Sequence, residues 1–300
     1  MPQIGANGLA LHYESLGQEG APAILLVMGL AMQMIMWPDA LCQMLVAMGF
    51  RVVRFDNRDI GLSTHLAHLG TPNIAREYVS YLLRRPLRAP YRIDDMAGDT
   101  IALVDALRLD RPHLVGASMG GMIAQNVAAR FPDKIATLTS IMSTTGRRSL
   151  PQPSWKVRAA MLRRPGRNFD ESVARMMATL RIIGSRTYPP EEEYLRNLCE
   201  RHVRRSNDPA GPARQLVAIA ATGDRTEVVR HISVPTLVIH GDEDPLIPMA
   251  AGVETARVIR ESGGDVRMQM IEGMGHDLPV PLLSTIAAEI AAHARRSRAV

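Results

Sequence analysis

Cysteine is scarce: the chain holds two in 300 residues, Cys42 and Cys199. Two thiols cannot build a disulfide framework or a cysteine-rich metal site, and they fit a cytoplasmic protein with both reduced and partly buried. Aromatic residues are 4% of the chain, too few for the stacking platforms that bind single-stranded nucleic acid. No apolar run reaches the roughly 18 residues of a membrane-crossing helix. The stretch 23–36 comes nearest, but Gly29 and Gln33 interrupt it and Trp37-Pro38 follow. The opening Met1-Pro2-Gln3 lacks the basic start of a secretory leader. Charge of one sign is also in short supply, with Lys plus Arg at 35 against Asp plus Glu at 30, a net +5. The excess sits in Arg84-Arg85, Arg163-Arg164, Arg204-Arg205 and Arg295-Arg296-Ser297-Arg298, with acids interleaved. Neither a nucleic-acid partner nor a membrane partner is expected.

What is present is ordinary globular material. Hydrophobic residues are 46% and charged residues 22%, which excludes wholesale disorder and leaves enough chain for a sizeable core. Leu9, Leu11 and Tyr13 alternate with Ala10, His12 and Glu14, a strand period, and Asn7-Gly8 before them signals a hairpin turn. Residues 23–27 form a continuous apolar run, and similar runs recur at 51–55, 113–115, 137–141, 236–239 and 266–271. Such runs read as strands of a parallel sheet covered on both faces. Helical patterns at 38–48, 92–107, 119–131 and 250–262 lie between them. The alternation predicts an α/β fold, a mostly parallel central sheet flanked by helices.

Residues 147–230 break the alternation. They show helical patterns at 171–182 and 191–205 and joints at Pro151, Pro153, Pro165, Pro189-Pro190, Pro209 and Pro212, with no buried-strand run. The reading is a core of 1–146 and 231–300 with a helical cap of 147–230 over the carboxyl edge of the sheet, where open α/β sheets form their pockets.

Strand 113–115 runs into Gly116-Ala117-Ser118-Met119-Gly120-Gly121 and then a helix. This is G-x-S-x-G in the strand–turn–helix setting that strains a serine and exposes its hydroxyl. Gly116 and Gly120 suit close backbone approach. Met119 opens the helix, so its N–H is free to meet an oxyanion. A serine nucleophile needs a base oriented by a carboxylate. Two later loops, both at the serine's edge of the sheet, offer them: His240-Gly241-Asp242-Glu243-Asp244-Pro245-Leu246-Ile247-Pro248 and Glu272-Gly273-Met274-Gly275-His276-Asp277. By position Asp242, Glu243, Asp244 and Asp277 all compete for the acid.

These two loops, the serine turn and Asp56-Asn57-Arg58-Asp59-Ile60-Gly61-Leu62-Ser63 together resemble the α/β-hydrolase fold superfamily over almost the whole chain. The resemblance points to the serine esterase branch, which includes small carboxylesterases and polyketide methylesterases. It implies Ser118 as nucleophile, His276 as base and, from the pattern H-G-x-x-D-x-x-x-P, Asp244 as acid. An alternative acid position after strand 137–141 reads Ser143-Thr144-Thr145, without a carboxylate. Where the family usually reads His-Gly, this chain reads Met28-Gly29-Leu30. The resemblance makes the N–H groups of Leu30 and Met119 the oxyanion hole, with Gly29 in the substrate-binding loop. The missing histidine removes a side chain that often braces that loop. Asp59 stands where many relatives carry glycine, and Arg58 is expected to pair with Asp56.

Methionines crowd the same region: Met28, Met32, Met34, Met36, Met119, Met122 and Met274. They read either as an adaptable apolar pocket or as gap filling. His65 and His68 lack a carboxylate pattern for a metal site, His240 reads as structural, and no cofactor or metal is implied. The expected activity is hydrolysis of a small-molecule carboxylic ester through an acyl-enzyme. Lactone hydrolysis, carbon–carbon bond hydrolysis and cofactor-free perhydrolysis are alternatives on the same triad, and a non-catalytic small-molecule receptor is a further one.

Overall fold

The computed structural model describes residues 2–161 and 166–296. Arg163-Arg164, Pro165 and the Ser297-Arg298 end of the basic tail lie outside the described residues. Asn7 and Gly8 take φ of 51° and 74°, the paired left-handed conformations that a two-residue hairpin turn requires. They join β1 (Gln3–Ala6) to β2 (Leu9–Leu16), with Ala6 opposite Leu9. The apolar runs become β3 (Ala23–Val27), β4 (Arg51–Phe55), β5 (His113–Ala117), β6 (Thr137–Ile141), β7 (Thr236–Gly241) and β8 (Val266–Ile271). The strands lie in the order β1-β2-β4-β3-β5-β6-β7-β8. β2 is antiparallel to both neighbours, and β4 through β8 run parallel. β3, β5, β6 and β7 are buried along their whole length, whereas β8 is the sheet edge and only half-buried.

The helices are α1 (Asp39–Ala47), α2 (Ile74–Leu82), α3 (Ile93–Ala106), α4 (Met119–Arg130), α5 (Trp155–Met161), α6 (Phe169–Ile183), α7 (Glu192–Arg205), α8 (Ala210–Thr222), α9 (Thr226–Val229), α10 (Ala250–Glu261) and α11 (Leu283–Arg296). Successive side chains of β3 point to opposite faces. Leu25 and Val27 pack in one core with Met96 of α3, Ile123 of α4 and Val258 of α10. Ile24 and Leu26 pack in the other with Leu41 of α1 and Ile286 and Ile290 of α11. Cys42 belongs to this second core and Cys199 to a small core between α6 and α7. Burial pushes the two thiols up to about 11 and about 12, so both stay protonated and inert. No described helix is long and apolar enough to cross a membrane.

Helices α5 to α9 fill the chain between β6 and β7. α6 and α7 share Val173, Met177, Leu195 and Val203, while α8 and α9 reach the main core through Ala218 and Val229. Pro209 and Pro212 are not joints but open α8, as its N-cap and within its first turn, where the absent N–H breaks no helical bond. The ends of the whole segment are pinned together. The Arg225 N–H donates to Thr145 O at 2.7 Å, and a Cβ on Gly146 would fall 2.3 Å from Gly223 O.

Candidate active site

Four central strands end in a non-glycine residue at positive φ: Ala31 after β3, Asp59 after β4, Ser118 after β5 and Met142 after β6, at 63°, 68°, 57° and 42°. Each such conformation costs about 1–3 kcal/mol and persists where the surroundings over-determine it. At Ser118 the surroundings are visible. Its N–H donates to Ile141 O at 2.9 Å, and its carbonyl accepts from Ser143 Oγ at 2.8 Å. A Cβ on Gly116 would lie 2.2 Å from Gly120 O, and one on Gly120 would lie 2.0 Å from Val27 O. Only glycine lets β5, α4 and β3 close this tightly, as the sequence pattern anticipated.

His276 lies beyond β8 and Asp244 beyond β7. The imidazole Nε2 is 2.9 Å from Ser118 Oγ, and Nδ1 is 2.7 Å from Asp244 Oδ2. An ionised carboxylate only accepts, so Nδ1 carries the proton and Nε2 is left to accept from the serine hydroxyl. Burial pushes the Asp244 carboxyl up. The charge of His276, hydrogen bonds from His240 and His276, and the Ile247 N–H outweigh this and hold it down to about 2. The Leu246 and Ile247 N–H groups donate to its Oδ1 at 2.9 and 2.8 Å.

The competing acids are all engaged elsewhere. Asp242 accepts from Gly273 N–H at 2.7 Å. Glu243 accepts from the N–H groups of Arg186 and Thr187 at 3.0 and 3.1 Å. Asp277 accepts from Ser185 N–H and Oγ at 3.1 and 2.6 Å. The His276 N–H itself donates to Ile183 O at 2.8 Å, and Gly275 N–H to Ser185 Oγ at 2.7 Å. The end of α6 therefore holds the histidine loop in place.

The Met28-Gly29-Leu30 loop runs beside the serine: a Cβ on Gly29 would be 3.0 Å from Ser118 Cβ. Two buried amides flank the Gly29–Leu30 peptide. Asn57 Nδ2 donates to Met28 O at 2.8 Å, and Gln215 Oε1 accepts from Ala31 N–H at 3.0 Å. Gln215 Nε2 is fixed in turn on Arg58 O at 3.0 Å. These amides brace the loop that lacks the family's histidine. Sequence reasoning missed both Gln215 and Ser185; Asn57 lay inside a recognised motif without a role.

The expected Arg58–Asp56 pair does not form. Arg58 faces α3 and holds Asp99 through contacts of 2.5 and 2.6 Å. Asp56 turns the other way, accepts Met34 N–H at 2.8 Å and pairs with Arg205 at 2.7 Å. Asp59 takes a two-pronged contact from Arg214 at 2.8 and 2.6 Å. His65 does find a carboxylate, Asp208 at 2.9 Å, while its Nε2 sits 3.0 Å from Gly61 O. Both ring nitrogens are thus engaged by oxygen atoms; burial lowers the imidazole's pKa, but the Gly61 carbonyl and the Asp208 carboxylate outweigh it and raise it above the ordinary value. His240 is buried, with Nε2 on Ile247 O at 2.8 Å.

Ser118 and His276 open into a cavity of about 970 Å³, at the upper end of small-molecule sites. Met28, Met32, Met36, Met119 and Met122 line it. Met34 and Met274 do not; they are fully buried in packing, so the methionine cluster serves both purposes.

Known proteins share this sequence pattern and fold. A family model described as alpha/beta hydrolase fold matches residues 22–280. A rhodomycin D methylesterase of Streptomyces peucetius is 27% identical, covering 97% of this chain and 97% of its own. A 3-oxoadipate enol-lactonase of Acinetobacter baylyi is 28% identical, covering 83% and 81%. Among solved structures, a putative aryl esterase from Burkholderia cenocepacia superposes with a TM-score of 0.74 at 20% identity, covering 100% and 99%. With a family match across most of its length and a mostly parallel sheet of eight strands beneath its serine turn, the chain belongs to the alpha/beta hydrolase fold family.

Proposed function

We propose that this hydrolase cleaves carboxylic esters, with Ser118 as nucleophile, His276 as base and Asp244 as the acid that orients it. The observation that carries the reading is the unbroken relay from Ser118 Oγ to His276 Nε2 at 2.9 Å and from His276 Nδ1 to Asp244 at 2.7 Å. As Oγ attacks the ester carbonyl, its proton passes to Nε2, and Asp244 stabilises the imidazolium without taking the proton. The Leu30 and Met119 N–H groups receive the tetrahedral oxyanion, each donor lowering the barrier by about 3–4 kcal/mol. The imidazolium then protonates the departing alcohol. Water, deprotonated by the same imidazole, splits the acyl-enzyme. Residues 147–230 serve as a cap that walls the cavity, and its methionines favour a small to medium apolar ester. Similarity to an enol-lactonase supports a second reading, lactone hydrolysis by the same steps with the alcohol still tethered.

The test is a panel of p-nitrophenyl and alkyl esters, varied separately in acyl and alcohol parts and joined by simple lactones. Ester turnover should fall by about 10⁴-fold or more in Ser118→Ala with folding unchanged. Undiminished hydrolysis in that variant would remove Ser118 from the reaction, and lactones outrunning every open ester would move the assignment to the second reading.

A further inference from the structure

The outer face of α2 is apolar and uncovered. Val79, Leu82 and Leu83 are 54%, 59% and 57% exposed, and Trp155 at the start of α5 is 74% exposed. Helix periodicity usually turns such residues inward, and a contiguous exposed apolar face marks an interaction site. The two elements border the same cavity, which Tyr78 and Tyr81 of α2 and Arg158 and Met161 of α5 line, and the Arg148 guanidinium, seven residues ahead of α5, stacks 4.4 Å over the Tyr81 ring. The two segments themselves carry charge of almost one sign. Residues 71–92 carry Arg76, Arg84, Arg85, Arg88 and Arg92 and a single acid, Glu77. That acid is buried and accepts the Arg88 N–H at 3.0 Å. Residues 147–169 carry no acid at all, and Arg148, Lys156 and Arg158 among them are exposed.

We infer that this face docks on an anionic lipid surface. Apolar side chains rimmed by arginine and lysine match the boundary between acyl chains and negative headgroups, where tryptophan is also at home. A second copy of the chain fits less well, since a two-fold contact would bring the arginines of one copy against those of the other. The face adjoins the cavity. Tyr78 is itself exposed yet lines it, as do Tyr81 of α2 and Pro153 and Arg158 near α5. Docking would therefore set the cavity wall against the lipid, so that an apolar guest could pass between them without crossing water. Sequence reasoning expected no membrane partner because no span is long enough; surface docking needs none. The inference stands apart from the proposed chemistry, because binding is read without turnover.

The experiment is flotation of the full chain with vesicles of phosphatidylcholine alone or mixed with phosphatidylglycerol, at low and high salt. Binding should require phosphatidylglycerol and weaken with salt. Arg84→Gln with Arg85→Gln should lower partitioning on the order of tenfold. Leu82→Ser with Leu83→Ser, or Trp155→Ser, should abolish it while thermal unfolding and turnover of a soluble p-nitrophenyl ester stay at parental values. Equal binding to both vesicles, no binding to either, or variants that float like the parent would overturn the inference. So would a concentration-dependent dimer that Leu82→Ser with Leu83→Ser dissolves.

Discussion

At the scale of single residues, the relay turns on which of four neighbouring carboxylates meets the imidazole. Asp244 does, so Asp244→Asn should cut turnover by about 10⁴-fold with the fold intact, whereas Asp242→Asn should leave steady-state rates near parental. The same substitution has a signature in stability. The folded carboxyl is depressed from 3.8 to about 2, so its contribution is fully present above the unfolded value and is lost as pH falls towards about 2. Urea unfolding of parent and variant should show a gap at neutral pH that closes over that acid window. The convergence of Ser118, Asp244 and His276 was legible because each sits in a short motif whose glycines and prolines dictate a turn. Gln215 was not. A lone glutamine in an apolar helix has no periodic or spacing signal, and its role appears only when α8 lies against the Met28–Ala31 loop. Arg58 was misassigned for a related reason: closeness in sequence does not say which way a loop residue points, and Asp99 lies 41 positions away.

At the scale of elements, the parallel strands and the helices between them were readable from apolar runs and the helical patterns that separate them, and their ends fell within a few residues of expectation. Helix α2 was not, because its apolar residues divide between the cavity and the exposed outer face and mark no core. Helix α8 was hidden by Pro209 and Pro212, which read as breakers until they are seen at its first turn. The inserted helices do more than line the cavity. Gln215 of α8 holds the Met28–Ala31 loop, and Ser185, just past α6, holds the histidine loop. Gln215→Leu should lower kcat by about tenfold, a fraction of the 10²–10³-fold lost with a whole oxyanion donor, with KM nearly unchanged. Steady-state kinetics beside a thermal melt would check this, and an unchanged kcat would make Gln215 mere packing.

At the scale of the whole molecule, the sheet and the inserted helices are joined by buried charge as well as by apolar packing. Arg214 of α8 and Asp59 after β4 form an ion pair, both almost wholly removed from water. Arg214→Met would leave Asp59 charged and unpaired in the interior and should cost about 3–5 kcal/mol of stability. Adding Asp59→Gly should restore most of it in urea unfolding, since glycine accepts the φ of 68° at that position without strain. No sequence pattern announced the pair, because its partners lie 155 positions apart. The same arrangement bears on how the molecule works in time. Any lifting of the inserted helices would break the bonds from Gln215 and Ser185 and so release the loops beside Ser118 and His276 together. Entry of a guest and the alignment of Ser118 with His276 would then be coupled through two side chains, Gln215 and Ser185.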